Sequence, residues 1–124
     1  FTTHLFYNNG KDSVFIDPSD RFAVSGDPMD MGAYKATTLR NIELQAPYMH
    51  DGRFKTLEEV IDFYSHKVVW SPSVNPLMHH VNRGGVQLIP AEKADLLSFI
   101  RSLYDEDFIY NATFSKPSKF PDQR

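Results

Sequence analysis

Residues 46–60 read Ala46-Pro47-Tyr48-Met49-His50-Asp51-Gly52-Arg53-Phe54-Lys55-Thr56-Leu57-Glu58-Glu59-Val60. Two signals meet in this stretch. From Thr56 onward it starts a helix. A Thr followed three residues later by Glu fits the capping box, in which the Thr hydroxyl accepts from the Glu59 amide and the Glu59 carboxylate reaches back. Leu57, Val60, Ile61 and Tyr64 then recur at i, i+3, i+4 and i+7, one helix face, which predicts a helix over 57–65. The first half is a loop dense in chemistry. Met49, His50, Asp51 and Arg53 place a thioether, an imidazole, a carboxylate and a guanidinium beside a Gly turn. Met and His are uncharged ligands of haem iron, and a His-Asp pair can orient or relay a proton. From these residues alone, the plain reading is a loop with Met49 and Phe54 in the core and His50 hydrogen-bonded. From spacing alone Tyr64 reads first as a core tyrosine whose hydroxyl finds a partner, and only second as a phenolate ligand to ferric haem.

Outward from this block, a second helix is predicted over 91–104, AEKADLLSFIRSLY. Pro90 suits the first helical turn and Glu92 complements the dipole. Leu96, Leu97, Phe99, Ile100 and Leu103 give it a wide apolar face. Residues 71–90 carry Pro72, Pro76, Gly84-Gly85 and Pro90, so they read as a loop with one short helix. Residues 1–34 read as irregular, with Asn8-Asn9-Gly10, Asp17-Pro18 and Gly26-Asp27-Pro28 as turn chemistry and short strands near 4–7 and 13–16. Residues 35–45 form a short helical turn that Pro47 stops. The tail 105–124 lies along the surface or frays. Glu58-Glu59 are explained by capping, His66 falls on another helix face from Tyr64, and His79-His80 read as surface residues. The fold class is mostly α with long irregular loops and a short β-hairpin near the N-terminus.

Composition bounds what such a chain does. Of 124 residues, 41% are hydrophobic and 14% aromatic, enough apolar area for a core. A net charge of −3 excludes binding to nucleic acid driven by counterion release and a polybasic membrane anchor. No stretch approaches 18 apolar residues, so no membrane span is predicted. Zero cysteines exclude disulfides, thiolate zinc, iron–sulfur clusters and thioether-attached haem within these residues. The chain opens mid-pattern, as a piece of something longer would.

The order of several blocks carries a resemblance. Asp20-Arg21-Phe22-Ala23-Val24-Ser25-Gly26-Asp27 comes first, then Tyr34-Lys35-Ala36-Thr37-Thr38-Leu39-Arg40-Asn41-Ile42, then the 46–60 stretch, then Asn75-Pro76-Leu77 and Glu92-Lys93-Ala94-Asp95-Leu96. Together they closely resemble the C-terminal cytochrome c domain of the bacterial dihaem cytochrome c peroxidase/MauG family. The resemblance runs over about 1–104, with 105–124 as a tail that matches nothing. It implies a cytochrome c-like domain of a periplasmic oxidoreductase. The intact family members hold two haem c groups through CxxCH motifs, with a calcium ion between two domains. Electrons from a small cytochrome or cupredoxin pass through the C-terminal haem to the N-terminal one, which reduces hydrogen peroxide. MauG instead oxidises tryptophans on a partner protein.

The same resemblance places a CxxCH just upstream of the segment matching Phe1–Phe6. The chain is therefore expected to be a truncated fragment, without covalently attached haem and catalytically silent by itself. The family's distal ligand lies eight residues beyond the capping Thr, which is Tyr64 here; it is Met in classical peroxidases and Tyr in MauG. The resemblance thus favours Tyr64 over Met49 as iron ligand. It makes His50 a haem-pocket residue, sets Arg40 to meet haem propionates, and assigns backbone carbonyls of Gln45 and Pro47 to calcium. Lys35-Ala36-Thr37 departs from the family's usual Pro.

Two rivals stand beside this reading: a haem-free binding or structural module reusing the fold, and a mononuclear metal hydrolase built on His50 and Asp51. A haem-sized apolar cleft would favour the first reading; a filled core would favour the haem-free module. A chain without its haem is expected to collapse its 46–54 loop into the site or to pair with a second copy. Its slowest amide exchange is expected in 91–104.

Overall fold

The computed structural model describes residues 2–16 and 20–116. The expected Asp17-Pro18 turn and the part of the tail holding Pro117, Lys119 and Pro121 lie outside the described residues. In chain order the elements are β1 (Phe6–Tyr7), α1 (Phe22–Ser25), β2 (Tyr34–Lys35), α2 (Leu57–His66), α3 (Pro90–Arg101) and α4 (Glu106–Tyr110). Single 3-10 turns lie at Pro28–Asp30, Ile42–Leu44, Val81–Arg83 and Ala112–Phe114. The fold class therefore holds, among the described residues, at the level of four helices and one small antiparallel sheet.

Helix α2 forms where the capping signal places it. Thr56 Oγ1 accepts from the Glu59 amide at 3.2 Å, and Glu59 Oε2 accepts from the Thr56 amide at 3.2 Å. Only Glu59 caps; Glu58 accepts from Arg101 of α3 at 3.1 Å. The helix buries Leu57, Ile61, Phe63 and Ser65. Phe63 and Ser65 lie off the predicted face, because a second wall covers α2. The Val86 and Gln87 amides donate to the Tyr64 and Ser65 carbonyls at 3.1 and 2.9 Å, and the Leu88 amide donates to Ser65 Oγ at 2.9 Å. Gly85 makes this approach feasible: a Cβ there would stand 2.4 Å from the Tyr64 carbonyl oxygen. Thr56→Ala should lower stability by about 1 kcal/mol, since it leaves the Glu59 amide uncapped. Urea unfolding should show an earlier midpoint at unchanged slope, and an unmoved midpoint would show that the cap is idle.

Helix α3 starts at Pro90, and Glu92 accepts from the Ile89 amide at 2.9 Å. It ends at Arg101 rather than 104, because residues 102–104 turn to meet Asn41. The Asn41 amide donates to the Leu103 carbonyl at 3.1 Å, and Asn41 Oδ1 accepts from the Asp105 amide at 2.6 Å. No residue of α3 is buried, and Phe99 is 49% exposed. The slowest exchange is therefore expected in α2, not in 91–104. The described tail is ordered as far as α4 and a further 3-10 turn, with Phe108 and Phe114 rings 5.1 Å apart.

The N-terminal sheet is not a hairpin. Phe6 pairs with Lys35 and Tyr7 with Tyr34, antiparallel and far apart in sequence. Asn8 does not serve a hairpin turn because it is a buried knot. Its Nδ2 donates to the Met31 carbonyl at 3.1 Å and to the Ser71 and Ser73 hydroxyls at 3.1 and 3.0 Å, while its Oδ1 accepts from the Gly10 amide at 2.9 Å. Gly10 has φ 70°, and a Cβ there would meet Val68 Cγ1 at 2.6 Å. No strand forms at 13–16, where Ile16 is 88% exposed. The predicted helical turn in 35–45 shrinks to Ile42–Leu44, and Lys35 joins β2.

Candidate functional site

The Asn8–Gly10 corner, the 46–54 loop and α2 converge on one side chain, Asn9. Its Nδ2 donates to the Tyr64 hydroxyl oxygen at 2.9 Å and to the Met49 sulfur at 3.7 Å. The loop reaches this point through a tight turn. The Tyr48 amide donates to the Phe54 carbonyl at 2.7 Å, Met49 takes the left-handed conformation at φ 70°, and the buried Tyr48 hydroxyl donates to the Ile42 carbonyl at 3.0 Å. A bulky residue at positive φ is uncommon and here aims the thioether inward. On α2, the Phe63 ring sits edge-on to Tyr64 at 4.8 Å and tilted against Phe54 at 5.5 Å. Burial pushes the Tyr64 phenol above its ordinary value of 10.0, and the Asn9 N–H offsets part of that. At neutral pH the group is a phenol.

A cleft of about 270 Å³ adjoins this cluster, just below the ~300–1,000 Å³ of typical ligand pockets. Asn9, Phe15, Tyr34 and His50 are among its walls, and Tyr34 and His50 stack at 3.6 Å with planes 7° apart. Charge closes one rim. Lys11 bridges Asp12 and Asp51 at 2.9 and 2.7 Å, and Arg53 bridges the same two carboxylates at 2.9 and 2.8 Å. The Lys11 side chain is only 7% exposed. For Asp51, burial pushes upward, but the hydrogen bonds from Lys11 and Arg53 win and hold it well below the usual carboxylate range. Asp12 is lowered in the same way. Both carboxylates therefore bind protons less tightly folded than unfolded. Their stabilisation is complete above about pH 4 and is lost as the pH falls from there toward their depressed folded values. Melting temperature should be flat from pH 7 to 5 and drop below 4, and Asp51→Asn should flatten the acid slope. An equal slope in that variant would remove the network from the account.

The structure thus brings Tyr64, Met49 and His50 to one region. Arg40 lies elsewhere. Its Nε and Nη2 donate to Asp105 at 2.9 and 2.5 Å, its guanidinium covers the Phe108 ring at 4.4 Å, and it lines a separate cleft between residues 38–40 and 102–107. Gln45 ends the Ile42–Leu44 turn, and Pro47 follows a cis Ala46–Pro47 bond; among the described residues no hydrogen bond falls on either carbonyl. The hydrolase rival finds no ligand set, since Asp51 is committed to Lys11 and Arg53 and no group of three His, Cys, Asp or Glu gathers among the described residues. Asn9 is the residue that sequence reasoning missed. It read as turn chemistry, and only its register beside the buried Asn8 could have marked it.

No protein-family model matches the chain. It is 34% identical over 85 residues to cytochrome-c peroxidase IdrP2 of Denitromonas iodatirespirans, covering 68% of this chain and 21% of that protein. It is 34% identical over 71 residues to methylamine utilization protein MauG of Methylophilus methylotrophus, covering 57% and 20%. Against cytochrome c551 peroxidase of Nitrosomonas europaea it is 48% identical over 42 residues, covering 34% and 13%. Among solved structures, a MauG-like protein associated with microbial copper homeostasis superposes with a TM-score of 0.71 at 41% identity, covering 92% of this chain and 39% of that one. The chain spans about a fifth of the length of these curated relatives, or less.

Proposed function

Since the chain is homologous to the cytochrome-c peroxidases and MauG proteins, we propose that it supplies the distal side of a haem c site in a MauG-like oxidoreductase, with Tyr64 as iron ligand. One observation carries the proposal: the half-buried Tyr64 on α2 and the Met49 sulfur meet at a single amide, that of Asn9. The donor set fits one face of a haem. A phenol and a thioether, both iron-ligand chemistries, converge beside aromatic walls. The other face needs a proximal His and two attachment cysteines, and the chain has no cysteine.

When bound, haem c supplies one-electron chemistry. This chain's residues place an oxygen donor, hold its ring edge-on to Phe63, which in turn packs on Phe54, and set His50 on Tyr34 at the adjoining cleft. The adjoining cleft, about 270 Å³ and walled in part by Lys11, Asp12, Asp51 and Arg53, is not the haem-sized apolar cleft that would by itself favour the haem reading over the haem-free module. The Gln45 and Pro47 carbonyls are proposed for calcium, and the periplasm as the compartment. Arg40 reaches a propionate only by leaving Asp105. A small cytochrome or cupredoxin is proposed as electron donor, and the exposed apolar residues as a surface for pairing, including with a second copy.

Two features favour MauG-like oxidation of a partner over simple peroxide reduction: a Tyr at the ligand position, and 41% identity to a MauG-like structure. Peroxide reduction is the second reading, favoured by the peroxidase relatives. The test is the ferric spectrum of the haem-bearing parent. A high-spin or Tyr-ligated ferric form is expected. A low-spin His/Met spectrum would assign Met49 and the peroxidase reading, and a parent without haem would leave the haem-free module.

A further inference from the structure

We propose that Asn9 is a positioning residue that fixes the Tyr64 oxygen as the distal donor and tunes the haem through a hydrogen bond to it. This rests on the haem reading above. The side-chain amide has two N–H groups, and the structure gives contacts for both: Tyr64 Oη at 2.9 Å and Met49 Sδ at 3.7 Å. Asn9 has little freedom to turn away. Its neighbour Asn8 is buried and tied to Met31, Ser71 and Ser73. Its other neighbour, Gly10, is buried at φ 70° and accepts from the Val69 amide at 2.8 Å. The backbone on either side is thus clamped, and the side chain stands between α2 and the 46–54 loop, at the wall of the cleft.

The consequence is electronic as well as geometric. An N–H aimed at a ligand oxygen draws density from it, so the oxygen donates less to Fe(III), and the ferrous form gains relative to the ferric. The same amide keeps the Met49 sulfur engaged. Outer-sphere partners of this kind are commonly worth 10–100-fold in metal affinity.

The test measures the reduction potential of the haem-bearing parent in a cycle of Asn9→Leu and Tyr64→Phe. Asn9→Leu keeps the side-chain size and removes both donors. It should favour Fe(III) over Fe(II) by about tenfold, a fall of about 59 mV for one electron. In the Tyr64→Phe background the same change should move the potential less than twofold, about 18 mV by the same constant. If Asn9→Leu does not fold, Asn9→Ala, which removes the N–H donors without adding charge, should shift the potential in the same direction. If Tyr64→Phe changes the spectrum but neither Asn9 variant moves the potential by twofold, the inference about Asn9 fails and the haem reading stands. If Tyr64→Phe leaves spectrum and potential unchanged, the haem reading itself fails.

Discussion

Tyr64→Met in the haem-bearing parent is expected to raise the reduction potential by on the order of 100 mV or more, within the ~0.8 V that axial ligands command. An anionic phenolate stabilises Fe(III), whereas a neutral thioether favours Fe(II). The change should also bring in the charge-transfer band of thioether ligation. The structure makes the exchange plausible in packing terms. The site already holds the Met49 thioether on the same amide as the phenol, so a second thioether enters an environment of matching polarity. Redox titration and the ferric spectrum check it together. A potential that stays put, or a wild-type protein already showing the thioether band, would remove Tyr64 from the iron and assign Met49.

Phe63→Ala should cost about 3–5 kcal/mol, the usual range for deleting a buried aromatic ring. Phe63 is 2% exposed, and its ring touches both Phe54 at the end of the loop and Tyr64 on its own helix. Total stability of a domain is typically ~5–15 kcal/mol, so this one change removes a large share. Melting temperature should fall by roughly 10–20 °C. Amide exchange in α2 should accelerate first, since that helix carries half of the buried apolar residues among those described, Leu57, Ile61 and Phe63. A fall of less than about 3 °C would mean that the ring's place is filled by neighbours and that the site does not depend on it.

Much of the fold was legible because it is local. The Thr56–Glu59 box names its own partners within one helical turn, and α2 starts where the pattern says. Pro90 and Glu92 start α3 for the same kind of reason. Where the reading erred, long-range contacts had decided. A short hairpin is expected near the N-terminus, but β1 pairs with the distant β2, and Asn8, which reads as turn chemistry, is buried among Met31, Ser71 and Ser73. The apolar face of α3 looked like core, but it stays half open. The tail looked loose, but Asn41 and Arg40 hold its first turn through Asp105.

The candidate site divides along the same line. The family resemblance that the order of residue blocks carries singles out Tyr64, Met49 and His50, and the absence of cysteine by itself excludes thioether attachment of haem within these residues. These are properties of residue type and order, and no folding is needed to know them. Their meeting point was not legible. Asn9 is 40 residues from Met49 and 55 from Tyr64, and its amide reaches both only after the clamped corner at Asn8–Gly10 docks against α2. Likewise the Arg40 guanidinium, which the resemblance sets to meet a propionate, donates in this structure to Asp105, 65 residues away. Periodicity and capping report on neighbours three or four residues apart. Which side chains share a hydrogen bond across the molecule depends on packing, and only the folded chain decides it.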